Sequence, residues 1–267
     1  MLPYPNIDPV AFAIGPISVR WYGLMYFIGF TLGWLLACHR AKSLPGWQRR
    51  DVDNIMTYAI IGLLLGARLG YVFFYNFSYF LDHPDEILMV WHGCMSFHGG
   101  LVGSIVALLI FARRNKKPFF EVTDLLVPCA MPGLFFGRLG NFINGELWGR
   151  VTDSYFGMVF PDPEAGLLPR HPSQLYQSLL EGLILFIILW LFSMKKKPRM
   201  AVSALFLLLY GLFRFVLEFF RQPDAQLGFV ALDFLSMGQL LCLPMIIVGA
   251  VMLIHAYRRL DEKKSCP

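Results

Sequence analysis

The chain has 267 residues, of which 57% are hydrophobic and 16% aromatic against only 15% charged. With a positive mean hydropathy, this balance excludes an ordinary soluble domain and indicates a membrane protein. The formal charge of +5 implies no nucleic-acid partner, because the basic residues flank apolar runs and no groove-reading motif accompanies them.

A bilayer span needs roughly 20 mostly apolar residues, and seven segments qualify. The first, 17–38, opens on Arg20, Trp21 and Tyr22. Leu35, Leu36, Ala37 and Cys38 within it mimic a lipoprotein cleavage box, but Arg40, Lys42, Arg49 and Arg50 follow the apolar run. A signal peptide carries its basic residues before that run, so the stretch reads as a span. The second, 54–75, carries Gly62, Gly66 and Gly70 at small-xxx-small spacing, as do Gly29/Gly33 and Gly133/Gly137 elsewhere. Such spacing lets helix backbones approach closely in lipid. The third, 96–112, is the shortest and opens on Ser96-Phe97-His98-Gly99-Gly100. The fourth, 122–143, runs into a polar tract. The fifth, 174–193, opens on Arg170-His171-Pro172-Ser173-Gln174-Leu175-Tyr176, and the sixth and seventh cover 200–220 and 236–257. The expected fold is an all-α integral membrane protein, with residues 1–267 forming a single seven-span membrane domain.

Of the 23 Lys and Arg residues, sixteen lie in four clusters of four: Arg40 to Arg50, Arg113 to Lys117, Lys195 to Arg199 and Arg258 to Lys264. The clusters follow predicted spans one, three, five and seven. The alternate segments 1–16, 76–95, 144–173 and 221–235 carry acids such as Asp82, Asp85, Glu86, Asp162 and Glu164. Positive residues mark the cytoplasmic side, so the N-terminus is expected outside and the C-terminus in the cytoplasm. The longest outer loop, 144–173, contains Gly, Pro, Phe156 and Phe160 and is expected to form a small external cap.

The other seven basic residues are all arginines: Arg20, Arg68, Arg138, Arg150, Arg170, Arg214 and Arg221. An arginine at the bilayer centre costs about 3 kcal/mol or more, so it faces a bundle interior and has a partner. In the sixth span Tyr210, Arg214, Glu218 and Arg221 fall at spacings of four, four and three, on one helical face. That face holds either an internal Arg214–Glu218 pair that fixes the bundle or an anion site. The tract Gly137-Arg138-Leu139-Gly140-Asn141-Phe142-Ile143-Asn144-Gly145-Glu146-Leu147-Trp148-Gly149-Arg150 favours function. Its two asparagines, one glutamate and two arginines exceed what packing needs, and its glycines suggest a break in the helix. Broken backbone at membrane depth is tolerated only where protein or water surrounds it. His98 is a candidate general base, although a lone histidine is as readily structural. His171, before a proline at a helix start, reads as a capping or packing residue. Glu121, Asp124 and Glu181 admit either a structural role or a place along a path.

The five cysteines are scattered with no CxxC, which suggests neither disulfides nor zinc. No HExxH, GxSxG, P-loop or dinucleotide fingerprint occurs, so no metal or other cofactor is expected. Arginine rather than lysine suits a phosphate ester, because the guanidinium is always charged and binds two oxygens at once. The expected ligand is an anionic phospholipid. Two classes of activity remain: an enzyme acting on the headgroup, and a carrier or scramblase moving the lipid. A carrier is expected to show repeat symmetry, and the sequence has none.

The tract at 137–149 resembles the signature of the bacterial prolipoprotein diacylglyceryl transferase family. Arg20-Trp21-Tyr22-Gly23, Ser96-Phe97-His98-Gly99-Gly100, Arg170-His171-Pro172-Ser173-Gln174 and Phe219-Phe220-Arg221-Gln222-Pro223-Asp224 resemble that family in the same order. The resemblance implies a multi-pass bacterial inner-membrane enzyme with its N-terminus in the periplasm. It implies transfer of the diacylglyceryl group of phosphatidylglycerol to the lipobox cysteine of a preprolipoprotein, with release of glycerol 1-phosphate. It further implies that Arg138 and Arg214 bind and polarise the phosphate and that His98 is the base. Tyr22, Asn141, Asn144, Glu146, Gly149, Tyr210, Glu218 and Arg221 would then shape the substrate site.

Overall fold

The computed structural model describes residues 2–89, 95–222, 229–231 and 235–265. Pro223 and Asp224 of the fifth sequence patch lie outside the described residues, as do His92, Cys94 and Cys266. The chain is mostly helical. Helices α1 (Trp21–Lys42), α2 (Arg49–Phe74), α3 (Phe77–Asp82), α4 (Phe97–Arg114) and α5 (Phe119–Ile143) come first. A continuous helical stretch follows, made of α6 (Ser173–Gln177), a π-helical segment Ser178–Ile184 and α7 (Leu185–Met194). Helices α8 (Ala201–Leu217) and α9 (Met237–Ser265) complete the order.

Among the described residues, six helical stretches are long and apolar enough to cross a membrane: α1, α2, α4, α5, Ser173–Met194 and Met237–Arg259. Helix α8 is apolar but has 17 residues, roughly 26 Å at 1.5 Å per residue. The expected sixth span, 200–220, overshoots it. The α-helical ladder closes with Glu218 N–H donating to Arg214 O at 3.0 Å. The chain then tightens into three-residue turns, Phe219 N–H to Val216 O and Phe220 N–H to Leu217 O.

Residues 17–20 are likewise not helical. They form β2 (Ile17–Arg20), antiparallel to β1 (Val10–Ile14). Gly15 turns the hairpin at a φ of 58°, a conformation that costs glycine little, and Trp21 N–H donates to Pro9 O at 3.0 Å where α1 begins. Two further ribbons, β3 (Met158–Val159) with β4 (Pro169–Arg170) and β5 (Phe229–Ala231) with β6 (Leu235–Ser236), are also antiparallel.

The chain divides into two compact units, Met1–Leu36 with Leu126–Pro267 and, separately, Ala37–Leu125. In the second unit α2 lies backbone-to-backbone on α4. A Cβ on Gly66 would meet the Gly99 carbonyl oxygen and stand 2.7 Å from Gly103 Cα, and one on Gly62 would stand 2.5 Å from Gly103 O. Ser96 caps α4, accepting from Gly99 N–H at 3.2 Å, while its own N–H donates to Ala67 O at 2.9 Å.

Two apolar cores are found among the described residues of the first unit. One gathers Met131, Leu185, Leu189 and Val202, with Leu205, Leu209 and Phe213 packed against them. The other gathers Phe142, Met158, Phe160 and Ala165 with Tyr4, Trp148 and Leu175. Segment 144–173 is thus folded around its own aromatic centre at the end of α5. The Tyr4 hydroxyl closes that centre by donating to Phe142 O at 2.6 Å.

Candidate active site

The charged face expected at the end of α8 forms a buried ion cluster in the first unit. Arg214 Nη2 stands 3.1 Å from Glu218 Oε2, and Arg221 Nη1 stands 3.6 Å from Glu218 Oε1. Glu218 is 2% exposed. Its Oε1 accepts from the Ser236 hydroxyl at 3.1 Å, and a Cβ on Gly238 would sit 2.7 Å from that oxygen. The absence of a side chain at Gly238 makes room for the carboxylate.

A second carboxylate completes the cluster. Glu181 is fully buried, with Oε1 3.6 Å from Arg214 Nη1. It sits in the π-helical segment, a wide turn of the kind that recurs at functional sites. Two contacts seat that turn on α5. Ser178 Oγ donates to Phe135 O at 3.0 Å, and a Cβ on Gly182 would stand 2.7 Å from Phe135 Cα. Neither oxygen of Glu181, nor Arg214 Nη1, has a hydrogen-bond partner among the described residues. The sequence reading left Glu181 open. The available signal was a lone acid inside a strongly apolar span. Arg138, on α5, is half-buried and acts electrostatically on Glu181 and Tyr210. It makes no hydrogen bond or ion pair with another described residue.

The polar tract adjoins this cluster along α5. The helix runs unbroken through Gly137 and Gly140 to Ile143, so these two glycines do not break it as expected. Gly140 provides space for a neighbour, since a Cβ there would stand 3.1 Å from Tyr22 Cδ2. The break comes afterwards, with Gly145 at φ 69° and Leu147 at φ 58°. Asn141 Nδ2 donates to Glu146 Oε1 at 2.8 Å, and Asn144 Nδ2 reaches the same oxygen at 3.4 Å. Gln174 Nε2 donates to Glu146 O at 2.6 Å and Ser173 Oγ to Leu147 O at 3.0 Å. Tyr22 lies by Asn141 and Glu146, with its hydroxyl 3.1 Å from that of Tyr26.

Gly149 marks a crossing of three strands of backbone. Its N–H donates to His171 O at 2.8 Å, and a Cβ would meet Phe220 O and stand 2.6 Å from His171 O. Only glycine fits such a crossing. Arg150 Nε donates to Arg221 O at 3.0 Å. Arg170 donates through Nε to Ala165 O at 2.7 Å and through Nη1 to Gly149 O at 3.2 Å. In the second unit Arg68, 3% exposed, donates to Ile87 O at 2.8 Å and Glu86 O at 2.7 Å. Three of the seven arginines outside the basic clusters are thus turned towards backbone carbonyls. They satisfy carbonyls left over by turns and by the 3-10 helix Pro84–Leu88, where water is scarce.

His171 packs edge-on against Phe220 with its Nδ1 3.3 Å from the Tyr176 hydroxyl. Burial lowers its pKa below the usual imidazole value, which suits the packing role. His98 is an exposed residue in the first turn of α4 and belongs to the second unit. It lines an apolar groove of about 1290 Å³ along α2 and α4, together with Gly66, Phe73 and Val102. Glu121 and Asp124 belong to the same unit. Glu121 accepts from Trp47 Nε1 at 3.1 Å, and the Asp124 carbonyl accepts from Arg40 at 3.2 Å. Both contacts are ties within that unit.

The family model described as prolipoprotein diacylglyceryl transferase matches residues 9–255. A protein of Oleidesulfovibrio alaskensis named phosphatidylglycerol–prolipoprotein diacylglyceryl transferase is 59% identical over 266 residues, 99% of this chain and 98% of that one. A Coxiella burnetii protein of the same name is 58% identical over 263 residues, covering 98% and 100%. One from Azotobacter vinelandii is 56% identical over 261 residues, covering 97% and 98%.

Proposed function

The chain belongs to the prolipoprotein diacylglyceryl transferase family, and from that premise we propose that it moves the diacylglyceryl group of phosphatidylglycerol onto the lipobox cysteine of a preprolipoprotein. Glycerol 1-phosphate leaves, and the product is the first intermediate of lipoprotein maturation. The observation that carries the chemistry is Arg214, which is held by Glu181 and Glu218 while its Nη1 has no hydrogen-bond acceptor.

In this reading the lipid phosphate lies against Arg138 and Arg214. The cysteine sulfur forms a bond to the terminal glycerol carbon as that carbon's bond to the phosphate oxygen breaks. Negative charge grows on the departing phosphate, and guanidinium groups fixed before the reaction stabilise it there. A free cysteine has a pKa near 8.5 and is only a few per cent thiolate at neutral pH. A base removes its proton, and His98 takes that role. Glu146, held by Asn141, Asn144 and Gln174, lines the polar end with Tyr22. Tyr210 and Arg221 complete the phosphate side.

The same reading sets the chain in a bacterial inner membrane with seven spans, α8 serving as the short sixth. The N-terminus and the segment 144–173 are periplasmic, the latter as a small cap. The four basic clusters support this orientation.

The test uses purified protein in detergent with phosphatidylglycerol and lipobox peptides bearing Cys or Ser at the acceptor. Glycerol phosphate is expected only with the Cys peptide. Arg138→Ala is expected to lower transfer by at least a hundredfold, the scale of losing one preorganised charge-stabilising donor. If His98→Gln keeps near-full transfer while Arg138→Ala loses it, the base assignment fails and the phosphate assignment stands. Release with neither peptide, alongside lipid movement between leaflets of liposomes, would sink the enzyme reading.

A further inference from the structure

We propose that Glu181 is a specificity-determining residue that weakens the site's grip on a doubly charged phosphate monoester relative to a singly charged diester. The inference rests on the reading of the Arg138–Arg214 cluster as the phosphate site. Glu181 places a carboxyl group, taken as ionised against Arg214, at 0% exposure, 3.6 Å from the guanidinium that is to hold the anion. It stands farther from Arg214 than Glu218 does, 3.6 Å against 3.1 Å. Glu218 already grips Arg214 at 3.1 Å from its own helix. A second buried carboxylate therefore adds little orientation. It adds negative potential where the ligand's charge must sit.

The charged and titratable groups around it come from three elements. Arg138 comes from α5, and Tyr210 and Arg214 from α8, with Glu218 just beyond it; Cys242 comes from α9. Each of these charges acts on the ligand in proportion to the ligand's own charge, so removing Glu181 alone isolates its part of the field. A phosphodiester carries one negative charge at all ordinary pH. A phosphate monoester has a second pKa near 6 and approaches two charges at pH 7. Coulomb repulsion from Glu181 scales with that charge, so it opposes a dianionic monoester twice as strongly as a diester. The reaction begins with a diester and ends with a monoester, so this bias favours product release. It also disfavours lipids such as phosphatidic acid, whose headgroup is itself a monoester.

The experiment compares glycerol phosphate with glycerophosphoglycerol, a soluble monoester and a diester that differ by one glycerol, as inhibitors of transfer by the full-length protein, each read as its own change on substitution. Glu181→Gln removes the charge and keeps the shape. Its affinity for both inhibitors is expected to rise. If the diester gains about tenfold, the monoester at pH 8 gains about a hundredfold, by the charge scaling. At pH 5, where the monoester carries one charge, the two gains converge. Glu181→Asp keeps the wild-type ratio. If Glu181→Gln does not purify folded, Glu181→Met is neutral, of similar length, and carries the same expectation. Equal gains for both inhibitors at pH 8, or no gain for either, would overturn the inference. Failure of Arg138→Ala to weaken either inhibitor in the otherwise wild-type protein would instead sink the phosphate-site reading itself.

Discussion

Arg214 is held between two carboxylates. Its two terminal nitrogens face different carboxylates, Nη1 toward Glu181 and Nη2 toward Glu218, which a planar fork can do and a point charge cannot. Arg214→Lys is accordingly expected to lower kcat with phosphatidylglycerol by at least about a hundredfold, on the scale of a lost preorganised donor. Its melting temperature should stay within a few degrees of the parent, and near-normal turnover would exclude bidentate phosphate binding. At this scale the sequence was partly legible. The spacing of Tyr210, Arg214, Glu218 and Arg221 showed one face, because helical periodicity is local. Glu181 did not show, since its pairing depends on a wide turn and on a helix 33 residues further along the chain. The carbonyl contacts of three other arginines were hidden for the same reason. Arg68, Arg150 and Arg170 look identical to Arg138 until the ends of the turns they serve are known.

Among elements, the α2–α4 pair depends most on the absence of side chains. Gly62, Gly66 and Gly70 of α2 meet Gly99 and Gly103 of α4 with backbone atoms on both sides, so no rotamer change can relieve an added methyl. Gly66→Ala is expected to destabilise the protein by about 1–3 kcal/mol, the usual cost of overpacking. The spacing pattern alone treats Gly133 as equivalent, but a Cβ there meets nothing within 4 Å. Gly133→Ala should therefore be neutral or stabilising, by up to about 1 kcal/mol of helix propensity. Thermal unfolding of both variants in one detergent decides the matter, and equal shifts would refute the packing argument. Among the described residues, six of the seven expected spans are helical stretches long and apolar enough to cross a membrane, and they were legible from hydropathy because each span must be continuously apolar. The hairpin β1–β2 was not, because its four residues before α1 are apolar enough to extend the span on composition alone.

For the whole molecule, the basic clusters support the proposed orientation, and chemical labelling tests it. In a chain otherwise lacking cysteine, Tyr155→Cys in spheroplasts is expected to react with a membrane-impermeant maleimide. Lys196→Cys should react only after lysis. The reverse pattern would invert the topology. A different consequence follows from the backbone crossing at Gly149. It joins Gly149 and Arg150 to His171 and to Phe220 and Arg221, so it unites stretches separated by some 70 residues of chain. Contacts of such long range form only after the intervening chain has been made. During synthesis the crossing waits for α6, α7 and α8, and until α8 arrives Arg214 is absent as well. The crossing and Arg214 thus become complete at one moment, so on the proposed reading an unfinished chain holds half a site and has no means of using it.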